Sequence, residues 1–399
     1  MSNFLHGLKI SENTDGGQVL PLQMSSVYGI VGTATAETGK TDEFAAAFPV
    51  DTPVLVTKTA QLELMAASSY LRRAVEMAWA EQKTYTVVVR TAEGSTIAVG
   101  EGNDAETITT TTAGNVAGNS TAKTGVYALK SAKSKVGYAP SLIFAEFPAS
   151  ADSADVTLIK TALKAVADFL LGTAIIPESG TITEAFGDSK NAFRVYGKIK
   201  TGDAPTVSVD PCAAVAGLIA YVDYNEGQWV SPSNHKFKSV AGVDPSLEFD
   251  MMDISCEAND LNNKNVACVI REGGAYRLWG NNTSASSSTE QKWRFLCVKR
   301  VSDLIKKTIQ EGILWAIDKG IRKNLIDDVC GSVKGVMNEL QSRGAILGGD
   351  CWADPEDNQT NSVKQGIVHF KYKFGPVYPA QTLEFEEVVT DEYIAEIFD

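Results

Sequence analysis

A chain of 399 residues with 44% hydrophobic and 21% charged side chains has the makeup of a globular protein and room for two or three domains. Its formal charge of -13 opposes sequence-independent binding to a phosphate backbone, and no apolar run reaches the roughly 18 residues of a membrane span. Nucleic-acid binding and membrane insertion are therefore set aside. The start Met1-Ser-Asn-Phe-Leu-His lacks the basic and apolar stretches of a signal peptide, so a soluble chain that is not exported is expected.

Residues Phe4 to Ile10 alternate as a short strand, and Ser11 to Gly17 is a turn cluster that detaches this strand from the rest of the chain. From Val27 strands and helices alternate: strands at Val27–Thr33, Pro53–Lys58 and Tyr85–Arg90, with helical periodicity over Leu62–Glu81. Such alternation predicts a parallel, layered α/β sheet. Thr91 to Gly125 is rich in Thr, Ala, Gly and Asn and reads as a surface excursion. Leu142–Phe147, Ala174–Ile176 and Phe193–Tyr196 are further strands, and Ile159, Leu163, Val166 and Leu170 mark a helix over Asp155–Leu171. Asp210-Pro211 opens a helix over Cys212–Tyr221, with proline where a first turn tolerates it, and Gly227 to Asn234 is a loop.

Val266–Arg271 and Ala275–Trp279 flank Gly273-Gly274, which can supply the positive φ angles of a tight hairpin. With the glycines as the loop, Val269 faces Leu278 and Cys268 faces Trp279, so both faces of this ribbon are apolar and need cover. A long amphipathic helix comes next over Gln291–Ile317, then a second with Leu325, Val329, Val333, Val336 and Leu340 as its stripe and Gly344 as its stop. Strands at Ala345–Leu347 and Ile367–Phe374 close the ordered part. Beyond Pro376 and Pro379, Thr382 to Val389 again alternates as a strand. Each chain end thus carries an isolated strand-like segment, which either folds back on its own sheet or adds to another molecule's sheet.

Catalytic chemistry finds little support. Ala34-Thr-Ala-Glu-Thr-Gly39-Lys40-Thr41 fits a relaxed phosphate loop, but the helix it would open runs only to Pro49, and no later strand supplies the Asp for Mg²⁺. His6, His235 and His369 are the only imidazoles, each without an evident acid partner, and no G-x-S-x-G elbow occurs. A P-loop nucleotide hydrolase and a degenerate serine hydrolase are the competing enzyme readings. The six cysteines, at 212, 256, 268, 297, 330 and 351, show no metal spacing and are expected to be buried and reduced; no cofactor or metal is expected. Lys299, Arg300, Lys306 and Lys307, then Lys319, Arg322 and Lys323, form basic clusters that read as solvated helix faces. In an acidic chain they also suit docking against an acidic protein.

Taken together, these segments resemble the tail sheath proteins of contractile bacteriophages and related injection systems, tailocins included. The resemblance runs through Phe4-Leu-His-Gly7, Ser25 to Gly32, Asp51 to Thr57, and Asp210-Pro211 with Val215 to Ala220, Asp223, Gly227, Trp229 and Ser231 to Asn234. It is most specific at Asn262–Ile270 and Tyr276–Thr283, and closes at Tyr378–Phe385. The family usually carries Arg where this chain has Asn282.

The resemblance implies a subtilisin-like layered α/β core without protease activity, joined to a C-terminal α/β domain with strand-exchanging terminal arms. The expected divisions are an N-terminal arm over residues 1–20, a core over 21–253 with the excursion at 91–125, a C-terminal domain over 254–375 that includes the hairpin, and an arm over 376–399. Phe4, Leu5, Leu8 and Ile10, with Leu383, Phe385, Val388 and Val389, are the implied strand-exchange residues. The hairpin would help form the platform that borrowed strands extend. Lys319, Arg322 and Lys323 are the candidate tube-facing residues. The implied partners are further copies in six-membered rings, an inner tail tube protein, and baseplate and tail terminator proteins. The implied location is the virion tail, after assembly in the host cytoplasm.

Overall fold

The computed structural model describes residues 26–99, 106–180, 182, 189–202, 204–285, 291–391 and 393. The expected strand at Phe4–Ile10 lies outside them. The chain enters on β1 (Tyr28–Thr33), then α1 (Thr41–Ala47), β2 (Pro53–Val56), the single turn α2 (Thr59–Leu62), α3 (Tyr70–Glu81) and β3 (Thr86–Thr91). A hairpin of β4 (Ser95–Val99) and β5 (Glu106–Thr110) leads to α4 (Thr112–Ala117) and, past a 3₁₀ segment at Gly125–Ser131, to α5 (Ala132–Val136). β6 (Leu142–Ala145), α6 (Ser153–Leu170), β7 (Thr173–Glu178), β8 (Ala192–Tyr196), β9 (Lys198–Thr201), β10 (Ala204–Val209) and α7 (Cys212–Asn225) follow. β11 (Val240–Asp244), α8 (Glu257–Asn263), β12 (Val266–Glu272) and β13 (Ala275–Trp279) complete the larger unit. The smaller unit comprises α9 (Leu296–Gly312), α10 (Lys323–Ser342), β14 (Ile346–Trp352), α11 (Thr360–Lys364) and β15 (Lys371–Pro376).

Eight strands form the main sheet in the order β13-β12-β8-β7-β6-β1-β3-β2, parallel except for the two edge strands β13 and β2. Its strands alternate between two apolar cores. Tyr28, Ile30, Leu142 and Phe144 face the side covered by α3 and α7, while Val31, Ile143 and Ala145 face α4 and α6. Burial on both faces is what makes these strands near-continuous apolar runs. α7 is buried almost all round, which explains why Cys212 to Ala220 shows little polar face.

Three sequence expectations change here. Helix is not continuous over Leu62–Glu81: Ala66 N–H donates to the Thr35 carbonyl at 2.9 Å and Met65 pairs with Ala36, so tertiary bonding breaks the helix between α2 and α3. The excursion 91–125 is not wholly superficial, because Ala113, Val116 and Ala117 of α4 are buried in the second core. The glycine hairpin forms with the expected register, Val269 opposite Leu278 and Cys268 opposite Trp279, and with positive φ at Gly273 and Gly274. However, it extends the main sheet through β12 and β8 instead of belonging to the C-terminal unit. Both its faces are covered by its own chain, with Val269 and Leu278 in the α3/α7 core and Cys268 and Ile270 against α8.

The smaller unit has its own core, in which Val301, Leu304 and Ile305 of α9 meet Val333, Val336, Met337 and Leu340 of α10 and Ile346 and Cys351 of β14. Gly344, at φ +74°, ends the α10 region as expected. Among the described residues β14 and β15 pair with each other alone, and Gly349 permits the close fit, since a Cβ there would meet the Met337 side chain at 2.9 Å.

Candidate assembly surface

The two units are joined at a buried ion pair. α7 brings Asp223 and α9 brings Arg300 to the same point, where Arg300 Nη1 and Nη2 donate to the two carboxylate oxygens at 2.6 and 2.5 Å. Ser26, the first residue of the described chain, donates its hydroxyl to the same carboxylate, and its carbonyl accepts from Thr84 Oγ1 at 2.6 Å. A fork-to-fork pair of this kind fixes orientation as well as proximity.

Arg300 is not on a solvated face. It stands between Leu296 and Leu304 on the buried stripe of α9, and Lys299 is buried in an ion pair with Asp303 one turn on. Burial pushes the Lys299 ammonium down, opposed by Asp303, and lowers Lys307 to about 8 mainly through desolvation. These residues are thus structural, a correction to the basic-face reading for Lys299 and Arg300. The signal was present: a charge at i+4 between two leucines of one stripe has to be buried with a partner. By contrast, Lys319, Arg322 and Lys323 are exposed on and beside the turn joining α9 to α10, next to the exposed Leu314 and Ile317.

Residues 281–284, between the hairpin and α9, are buried and tie three elements. Thr283 N–H donates to the Arg294 carbonyl at 2.7 Å, Ser284 N–H to the Ala192 carbonyl at 3.0 Å, and Leu296 N–H to the Asn281 carbonyl at 2.9 Å. Asn282, where the family usually has Arg, is buried and donates weakly to the Asn262 carbonyl at 3.4 Å. Its buried amide oxygen has no hydrogen-bond partner among the described residues.

The C-terminal arm contrasts with these buried joints. Tyr378 packs edge-on against Phe295 with ring centres 6.2 Å apart, and Gln381 accepts from Arg294 at 3.2 Å. Past this anchor, residues 382–391 adopt neither helix nor strand, and Leu383, Phe385, Val388 and Val389 stand 71%, 90%, 75% and 87% exposed. Four large apolar side chains in water are a standing cost of about 1.5–3 kcal/mol each relative to burial. The neighbouring β14–β15 ribbon leaves both its outer edges without a partner strand among the described residues.

The enzyme motifs lead elsewhere. α1 has only seven residues, and Lys40 Nζ donates to the Glu63 carbonyl at 3.2 Å, away from any phosphate-binding role. His235 does have an acid neighbour, Glu226 at 2.9 Å, which the sequence did not reveal. Its other ring nitrogen lies 3.2 Å from the Ser233 carbonyl, so both nitrogens face acceptors and neither contacts a serine hydroxyl. His369 is exposed, and His6 lies outside the described residues. Five cysteines are buried, Cys330 is half-buried, and all six are free thiols.

Comparison with known proteins gives one consistent answer. The phage tail sheath protein central domain matches residues 116–284, and the phage tail sheath C-terminal domain matches residues 288–390. The chain is 32% identical over 409 residues to a protein named as a prophage major tail sheath protein in Pseudomonas aeruginosa (strain UCBPP-PA14), covering 100% of this chain and 99% of that one. It is 28% identical to the tail sheath protein of Escherichia phage P2, covering 100% and 98%. Among solved structures, the fold is shared with the anti-feeding prophage helical sheath in its contracted state, at a TM-score of 0.71, 16% identity and coverage of 97% and 99%. The sheath complex of an extracellular contractile injection system, also contracted, gives a TM-score of 0.67 at 15% identity, covering 98% and 99%. The chain therefore belongs to the phage tail sheath family and is a structural subunit of a contractile sheath.

Proposed function

We propose that the chain polymerises as stacked rings around an inner tail tube and that shortening of this sleeve drives the tube through a host envelope. In this reading the ends act as strand donors. Leu383, Phe385, Val388 and Val389 of the C-terminal arm, and Phe4, Leu5, Leu8 and Ile10 of the N-terminal arm, add to open edges of the β14–β15 ribbons of neighbouring copies. The observation that carries the proposal is the exposed apolar arm that follows β15 in a chain whose β14–β15 ribbon has open edges among the described residues. Main-chain pairing supplies affinity in such an exchange, and the alternating side chains supply specificity. The glycine hairpin, already covered, is not the platform.

Contraction then needs no nucleotide. Sheath subunits store energy as a less favourable packing at assembly and release it when a baseplate triggers the end ring, the strand links holding while compact bodies rotate. A chain of this fold occurs in the anti-feeding prophage baseplate, at a TM-score of 0.69 and 16% identity, which supports baseplate contact. Tube and terminator proteins complete the proposed partners, with Lys319, Arg322 and Lys323 facing the tube. The proposed location is the virion tail, assembled in the host cytoplasm. The core is proposed to be a non-proteolytic, subtilisin-like layer fold, with arms over 1–20 and 376–399. Deleting residues 382–399 tests the arm: the expected product is a folded monomer with the thermal stability of the full chain and no tubes, whereas tubes of normal length would overturn the exchange.

A further inference from the structure

Two exposed features lie well apart on the larger unit. At the β13 edge, the loop before α8 carries Met251, Met252 and Ile254 at 72%, 93% and 87% exposure. The loop is held in place, since Phe249 packs edge-on against Trp279 of β13 at 4.8 Å, and Ala258 N–H donates to the Glu248 carbonyl at 3.3 Å. Methionines are therefore presented to solvent from a fixed base. By the starts of β1 and β3, next to the Ser26–Asp223 contact of the unit junction, a cavity of about 330 Å³ is lined mainly by apolar surface from Ser26, Thr57, Lys83, Tyr85, Ala220 and Tyr224. Tyr224 is 79% exposed, and the Tyr85 ring is stacked on Tyr138 at 4.6 Å.

We propose that Met251 and Met252 of one copy seat in the tyrosine-walled cavity of a second copy, a head-to-tail contact within the sheath. The proposal rests on the sheath reading and adds a contact independent of the arms. Three observations fix the occupant. The charges match: Glu248, Asp250 and Asp253 surround the methionines, and Asp253 is held below its ordinary range by hydrogen bonds from Ser255. Lys83 lines the cavity, and Lys58 stands exposed beside Thr57.

The chemistry matches as well, because a thioether against an aromatic ring gains about 0.3–1.5 kcal/mol beyond ordinary packing. The placement decides the symmetry. The knob lies at the β13 edge and the cavity by the starts of β1 and β3, five and six strands along the order, about 25–30 Å apart at the usual spacing of roughly 4.8 Å per strand. They cannot meet within one chain. A patch that recognises a different patch makes a heterologous contact, which propagates into rings or helices instead of closing as a dimer.

The test uses the full chain carrying both Met252→Cys and Tyr224→Cys, assembled into tubes and oxidised with diamide, which takes the two electrons as a disulfide forms. Covalent dimers, trimers and higher ladders on non-reducing gels are expected, and neither single variant should ladder. Tubes of the double variant that stay monomeric on the gel would overturn the contact while leaving the sheath reading intact. Failure of the unmodified chain to form tubes would count against the sheath reading itself. In support, Met252→Glu should abolish or shorten tubes without shifting the melting temperature of the monomer, since the side chain is exposed; normal tubes from this variant would contradict the proposal.

Discussion

Arg300 shows how a single side chain can report the architecture. Both it and Asp223 are nearly inaccessible, at 6% and 3%, so removing one leaves the other charged and unpaired in a dry junction. Arg300→Met should destabilise the unassembled chain by about 3–5 kcal/mol, read from its urea midpoint, while adding Asp223→Leu should recover much of the loss. Equal loss in the single and double variants would mean that the pair is not the joint between the units. Cys268 gives a pH prediction. Burial, with Cys256 adding to it, raises its thiol from 9.0 to about 12. The unfolded thiol ionises first, so the stabilising difference is complete below about pH 9 and is lost as pH rises towards 12. Cys268→Ala should therefore narrow the gap in urea midpoint between pH 7 and pH 10, and an unchanged gap would refute the assignment. The burial of this thiol was legible from its pairing with Trp279. The partnership of Arg300 was not, because Asp223 lies 77 residues away in sequence.

At the scale of elements, what repeats locally was legible and what depends on distant bonding was not. α6 and α10 arise from an apolar period of 3.6 with their capping or glycine stops, and the strands of the main sheet from short, near-continuous apolar runs. The hairpin register came from Gly273-Gly274 alone. The antiparallel sheet of β9, β10 and β11 was missed, since Lys198–Thr201 is four residues of mixed polarity whose partners lie on either side of α7. α4 was missed for a similar reason: small residues bury well only when a neighbouring helix, here α6, closes over them. The turn from α9 to α10 carries its own prediction. Reversing Lys319, Arg322 and Lys323 to Glu should leave the monomer's melting temperature within about 1 °C, because exposed charges contribute little to stability. It should weaken co-assembly with an acidic tube protein, measured by co-sedimentation, and unchanged co-sedimentation would remove these residues from the tube interface.

For the whole molecule, the separation between buried and exposed groups carries the functional meaning. The described body satisfies itself: two cores flank the main sheet, a third closes the smaller unit, and the junction charges are paired. At its margins it leaves apolar groups and strand edges open, in the arm, the β14–β15 ribbon, the Met251–Ile254 loop and the Tyr224 cavity. The family was legible because its most specific motifs fall on the buried junction and hairpin, which one chain must build for itself. The assembly was legible only as unfinished alternation at the chain ends, since the partners proposed for those ends belong to other copies. Negative-stain electron microscopy of the purified full-length chain tests the central claim most directly. The account predicts rings or long hollow tubes that disappear when residues 382–399 are removed; monodisperse monomers from the intact chain would contradict it.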